Sequence, residues 1–106
     1  MKRQSLTLFG EHIRSLRETA GLSLRQATAD LQIDPSLLAK YERNERQPSK
    51  EFVKQIADYY GIDSKKLLTQ FLSDQIAYKM LEEEEGLEIL KVAEEKVSYL
   101  KNQRNG

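Results

Sequence analysis

The stretch GLSLRQATADLQIDPSLLAKYERN, Gly21 to Asn44, holds two short helices and the link between them. Gly21 stops whatever helix precedes it. Ser23 suits the N-cap of a helix through Leu31, because its hydroxyl can accept from first-turn N–H groups and Gln26, three residues on, can reach back to complete a capping box. Asp34 followed by Pro35 is a second start signal: a carboxylate cap, then a proline at the first helical position, where its missing N–H costs nothing. The helix so begun carries Leu37, Leu38 and Tyr41 inward and ends near Asn44. Only Gln32 to Asp34 separates the two helices, and so short a link predicts a sharply angled pair rather than a long hairpin.

Working outward, Phe9, Ile13, Leu16 and Ala20 recur at helical spacing before Gly21, with Leu8 and Phe9 fixing how that helix meets the core. Beyond Asn44 the polar run NERQPS connects to a fourth helix capped by Ser49, with Phe52, Val53, Ile56, Ala57 and Tyr60 inward and Gly61 closing it. Asp63 starts a fifth helix through Leu67, Leu68 and Phe71, and Asp74 is expected to cap another containing Ile76, Ala77, Met80 and Leu81. Glutamates 82 to 85 and Gly86 predict a kink or short break, after which Leu87, Leu90, Val97 and Leu100 resume an apolar stripe with Ala93 nearby. The expected fold is all-α: a five-helix body over residues 1–72, then an acidic extension of one or two helices over residues 73–106 that serves packing or dimerisation.

The chain has 106 residues, no cysteine and one histidine, which excludes disulfides, thiolate catalysis and Cys- or His-rich metal sites. No apolar run is long enough to span a membrane and the N-terminus turns polar at once, so a cytoplasmic location is expected. Neither cofactor nor metal nor small-molecule ligand is implied, and no nucleophile–base pair or phosphate loop suggests an enzyme. Glutamates 82 to 85 point in different directions on a helix and make no calcium loop. The formal charge of zero hides an asymmetry. Residues 1–72 hold 12 basic and 9 acidic side chains, whereas residues 73–106 hold 5 and 8. A mildly basic front suits a polyanionic partner, since local fields govern that association and the total does not.

Over residues 6–72 the chain resembles the lambda-repressor-like, Xre-type helix-turn-helix regulators. The resemblance rests on Gly10, Ile13, Arg14, Leu16, Arg17, Gly21, Leu22, Ser23, Leu31, Ile33, Leu38, Glu42, Arg43, Pro48, Ser49, Ile56, Ala57 and Leu67 in that order. The tail also looks like that of short regulators associated with DNA methyltransferase and restriction–modification genes. Three positions depart from the family pattern: Leu24 stands where glutamine is usual, Thr28 where a small alanine is usual, and Gln32 where the turn usually has glycine.

The resemblance implies that the third helix enters the major groove of double-stranded DNA. Carried over by position, Asp34, Pro35, Ser36 and Lys40 face base edges, with Ser36 and Lys40 the candidate readers. Arg43, Arg46 and Lys50, with Arg25, Arg14 and Ser23, are the candidates for phosphate contact. Arg17 and Glu42 are implied to form a structural ion pair. His12 is read as an ordinary residue, and Tyr59, Tyr60 and Tyr99 as packing or interface residues. Tyr60, Leu68, Phe71, Leu72, Ile76, Leu90 and Val97 are the candidate dimer surface. The function these features imply is a homodimeric, sequence-specific transcriptional regulator on a palindromic operator, with a protein-interaction module for a toxin or enzyme partner as the alternative.

Overall fold

The computed structural model describes residues 7–105, which form six helices and no strand. They are α1 (Phe9–Thr19), α2 (Leu24–Leu31), α3 (Pro35–Glu42), α4 (Lys50–Tyr60), α5 (Ser64–Leu81) and α6 (Gly86–Asn105). Two compact units divide the chain between Asp74 and Gln75, inside α5.

Local chemistry sets most of the helix ends. Ser23 Oγ accepts from Gln26 N at 3.1 Å while Gln26 Oε1 accepts from Ser23 N at 2.8 Å, a complete capping box on α2. Ser49 caps α4 through Phe52 N, and Gly61 closes it at a φ of 68°, in the left-handed region that a glycine enters without steric cost. The Thr28 hydroxyl donates to the Leu24 carbonyl at 2.7 Å, so the polar group that replaces the usual alanine is satisfied while buried. Gln32 does occupy the left-handed turn after α2, at φ 60°, and Asn44 occupies another at φ 61° after α3.

Helix α3 packs against α1 and α2, and α4 also contacts both. The core they enclose contains Phe9, Ile13, Leu38, Val53, Ile56, Leu67 and Phe71. Phe9 and Phe71 meet edge-on with ring centroids 5.1 Å apart, and Tyr41 tilts against Phe52 at 5.5 Å. Gly10 lets α1 approach the end of α3 closely. A Cβ there would stand 2.6 Å from Asn44 Oδ1 and 2.7 Å from the Glu42 carbonyl oxygen. In its place the Gly10 N–H donates to Asn44 Oδ1 at 2.9 Å.

Several expectations change. No new helix starts at Asp74: α5 runs unbroken from Ser64 to Leu81, with no glycine or proline to interrupt it. Asp74 is buried instead, and its Oδ2 accepts from Phe9 N at 2.6 Å, capping α1 from 65 residues away. Leu8, which precedes α1, has no side-chain oxygen with which to do so. Phe71, expected on a dimer surface, is 1% exposed in the core because Leu67, Phe71 and Asp74 fall on the inward face of α5. Tyr60, Leu68 and Leu72 are half-buried against the same core. The break after Leu81 falls on glutamates 82 to 85, and Gly86 opens α6. There Gly86 is needed for space, since an added Cβ would lie against the Met80 backbone.

The unit that begins at Gln75 is built differently. All the large apolar side chains exposed among the described residues lie between Ile76 and Leu100. Leu81 and Leu87 are 80% and 85% exposed, and Leu90 and Val97 are 43% and 54%. An open cavity of about 460 Å³ lies among Ala77, Met80, Leu81, Leu87 and Leu90. Gly86 is the one residue of this unit that is buried among those described. No helix among the described residues is long and apolar enough to cross a membrane.

Candidate nucleic-acid interface

The link from Gln32 to Asp34 turns α2 into α3 within three residues. Ile33 N donates back to the Thr28 carbonyl at 3.1 Å, and Ile33 and Leu37 pack against the core, which fixes the angle between the helices. Leu38, Tyr41 and Glu42 face inward, leaving Ser36, Lys40 and Arg43 exposed on the opposite face, at the i, i+4 and i+7 positions of one helical side.

Asp34 Oδ1 accepts from Ser36 N and from Ser36 Oγ, each at 2.7 Å. The Ser36 hydroxyl, then its N–H, hold the Asp34 carboxyl below the usual carboxylate range. The carboxylate thus caps α3. Pro35 lies exposed at the first position of α3, where only its ring is offered to a partner.

Arg17 and Glu42 meet beneath this surface. Arg17 Nε lies 2.8 Å from Glu42 Oε2 and Nη2 lies 3.0 Å from Oε1, a bidentate pair with side chains 11% and 5% exposed. A third bond, from Nη1 to the Leu22 carbonyl at 2.9 Å, ties the turn before α2 to the same guanidinium. The pair therefore joins α1, α3 and the start of α2, and removes Arg17 from contact with a ligand. Hydrogen bonding to Glu42 raises the Arg17 pKa further.

The remaining cations divide into two groups. Arg43 Nε and Nη2 bond Glu45 at 2.8 and 3.0 Å, and Arg14 bonds Glu18 at 3.0 Å. Both pairs are more than half exposed, and their side chains can swing to another anion. Arg25, Lys40, Arg46 and Lys50 are exposed and make no ion pair among the described residues. Ser23 is exposed beside the first-turn N–H groups of Leu24 and Arg25, which have no intrahelical acceptor. The pairing of Glu45 with Arg43 escapes sequence reading, because the two meet across the left-handed turn at Asn44 and periodicity carries no signal there.

Outside this surface, Tyr59 donates to Asp30 Oδ2 at 2.6 Å, which pushes its phenol up to about 12 and links α4 to α2. His12 Nδ1 bonds Gln70 Oε1, and Gln70 Nε2 donates to the Thr7 carbonyl at 3.0 Å, so His12 has a structural place. Among the described residues no group of three acidic, His or Cys side chains converges to hold a metal.

Two angled helices joined by a three-residue turn, with the second presenting an exposed polar and basic face, make a helix-turn-helix DNA-binding unit. A model of the helix-turn-helix domain matches residues 8–68, and the chain belongs to that family. No curated protein matches the chain.

Proposed function

We propose that the protein is a sequence-specific transcriptional regulator, binding a palindromic operator as a homodimer, with α3 in the major groove. The observation that carries this reading is the exposed face of α3, where Ser36 and Lys40 stand clear of the core with Arg43, Arg46 and Lys50 beside and beyond them. Ser36 and Lys40 are the groups suited to base edges. Arg43, Arg46, Lys50, Arg25 and Arg14, with the capped start of α2 at Ser23, would hold phosphates and set affinity without reading sequence.

Dimerisation rests on the second unit. Monomeric proteins seldom leave so many large apolar side chains in water, and Ile76, Leu90 and Val97 are all half exposed or nearly so. A second copy covers them at no requirement for a foreign partner, and a two-fold dimer sets its α3 helices about 34 Å apart on successive major grooves. The resemblance to regulators of restriction–modification genes extends the proposal to that class of target, in the cytoplasm.

Sedimentation equilibrium on the wild type and on a Leu90→Glu, Val97→Glu variant tests the assembly. A wild-type dimer that becomes a helical monomer with weakened operator binding is the expected result. A monomeric wild type that still binds an operator with full affinity would contradict it.

A further inference from the structure

The bond between Ser36 and Asp34 decides which bases Ser36 can read. An ionised carboxylate has no proton to give, so in the 2.7 Å contact between Ser36 Oγ and Asp34 Oδ1 the hydroxyl must be the donor. The same Oδ1 also holds Ser36 N at 2.7 Å, which locks the carboxylate in place as the cap of α3. Asp34 stays ionised, since both bonds hold its carboxyl below the ordinary range and Lys40 adds to the effect. The single Ser36 proton is therefore committed to Asp34, and only oxygen lone pairs are left for another partner. A charge-assisted O–H···O⁻ bond outcompetes one from the same hydroxyl to a neutral base oxygen or nitrogen.

We infer that Ser36 is an obligate hydrogen-bond acceptor toward DNA, and so selects a base carrying a major-groove amino group, adenine or cytosine, over guanine or thymine on the strand it faces. This inference rests on the DNA-binding reading above. In the major groove, adenine N6 and cytosine N4 are the donors, whereas guanine and thymine present oxygen and nitrogen acceptors or a methyl group. Lys40, one helical turn further on the same exposed face, has the opposite polarity: an ammonium donates only. The face of α3 thus presents an acceptor and then a donor about 6 Å along the helix axis. Its complement is an amino-bearing base followed within one or two base pairs by a guanine or thymine. An unconstrained serine hydroxyl, able to donate or accept, would impose no such order.

The test is selection by the full-length protein from a random duplex library, repeated with Ser36→Ala and with Asp34→Asn. The asparagine keeps a side-chain oxygen for the Ser36 N–H, so α3 stays capped, while a neutral amide oxygen holds the Ser36 hydroxyl proton less strongly than a carboxylate does and lets it turn to a base acceptor. Circular dichroism confirms that each variant remains helical. The base whose identity ceases to matter in Ser36→Ala marks the position read by Ser36. There the wild type is expected to select adenine or cytosine, by about fivefold for one neutral hydrogen bond. Nebularine, a purine without the 6-amino group, in place of a selected adenine should remove that preference, as should 4-keto uracil for a selected cytosine. Asp34→Asn should relax the position to include guanine or thymine. Selection of guanine or thymine there by the wild type would overturn the inference while leaving the regulator reading intact. So would an enriched sequence that Ser36→Ala leaves unchanged. Failure of any sequence to be enriched would overturn both.

Discussion

Replacing Gln32 with glycine should stabilise the protein, although it deletes a whole side chain. Gln32 sits at φ 60° and ψ 45°, where an L-residue's Cβ crowds the following carbonyl at about 1–2 kcal/mol. The side chain is exposed, so no packing is lost. Glycine's greater freedom in the unfolded chain takes back about 0.4–1 kcal/mol. The net gain is about 0.5–1 kcal/mol, or roughly 3–6 °C in melting temperature for a domain of this size. Asn44 provides the control, because it has nearly the same backbone, at φ 61°, and a side chain with a partner. Its Oδ1 accepts the buried Gly10 N–H at 2.9 Å, and removing it strands that donor at about 1–3 kcal/mol. Asparagine also tolerates the left-handed region, so little strain is relieved in return. Asn44→Gly should therefore destabilise by about 1–2 kcal/mol. Urea unfolding followed by circular dichroism measures both, and an unchanged m-value would show that the folded states are comparable. Gln32→Gly proving destabilising, or the two substitutions shifting stability in the same direction, would refute the reasoning.

Other substitutions test the remaining features. Glu42→Ala leaves the Arg17 guanidinium buried without its partner and should cost about 3 kcal/mol in urea unfolding, whereas Arg17→Met with Glu42→Leu should recover at least half of that. Asp74 has its carboxyl raised by burial, so the native state holds a proton above the ordinary aspartate range. Its contribution to stability should then fall as pH rises through that window and stay low above it. Asp74→Asn, which keeps an acceptor for Phe9 N, should flatten this dependence above about pH 4, while Asp74→Ala should lose about 1–3 kcal/mol at low pH by stranding the N–H, and less as pH rises. Arg46→Ala should weaken binding to every duplex alike and flatten the salt dependence by about 2 in log–log slope per dimer. Glu45→Ala should strengthen binding to all duplexes, because Arg43 no longer has a competing carboxylate.

What could be read from the sequence follows the range of the interactions involved. Ser23 with Gln26, Asp34 with Pro35, and Ser49 with Phe52 N are contacts within three residues, and each is visible as a pattern of residue types. At Gln32 the signal came from the resemblance instead, because the family usually has glycine in that turn and a glycine enters the left-handed region without steric cost. Asp74 was not. The same residue signals a local cap or a distant one, and only the fold shows that Leu8 leaves α1 without an oxygen of its own. Phe71 misleads similarly, because a stripe on α5 shows that a face is buried and not whether this chain or another covers it. On the exposed face of α3 the residue types could be named beforehand. The direction of the Ser36 proton could not, because it depends on a hydroxyl rotor that the Asp34 carboxylate orients.

The central claim is that α3 reads a particular DNA sequence. Its most direct test is a fluorescence-anisotropy titration of the protein against duplex DNA from upstream of its own gene, beside a scrambled duplex of equal length, at two salt concentrations and with Lys40→Ala in parallel. Preference for the native duplex by about a thousandfold, with steep salt dependence and a preference reduced in Lys40→Ala, is the expected result. Equal and weak binding of both duplexes, unchanged by Lys40→Ala, would contradict it.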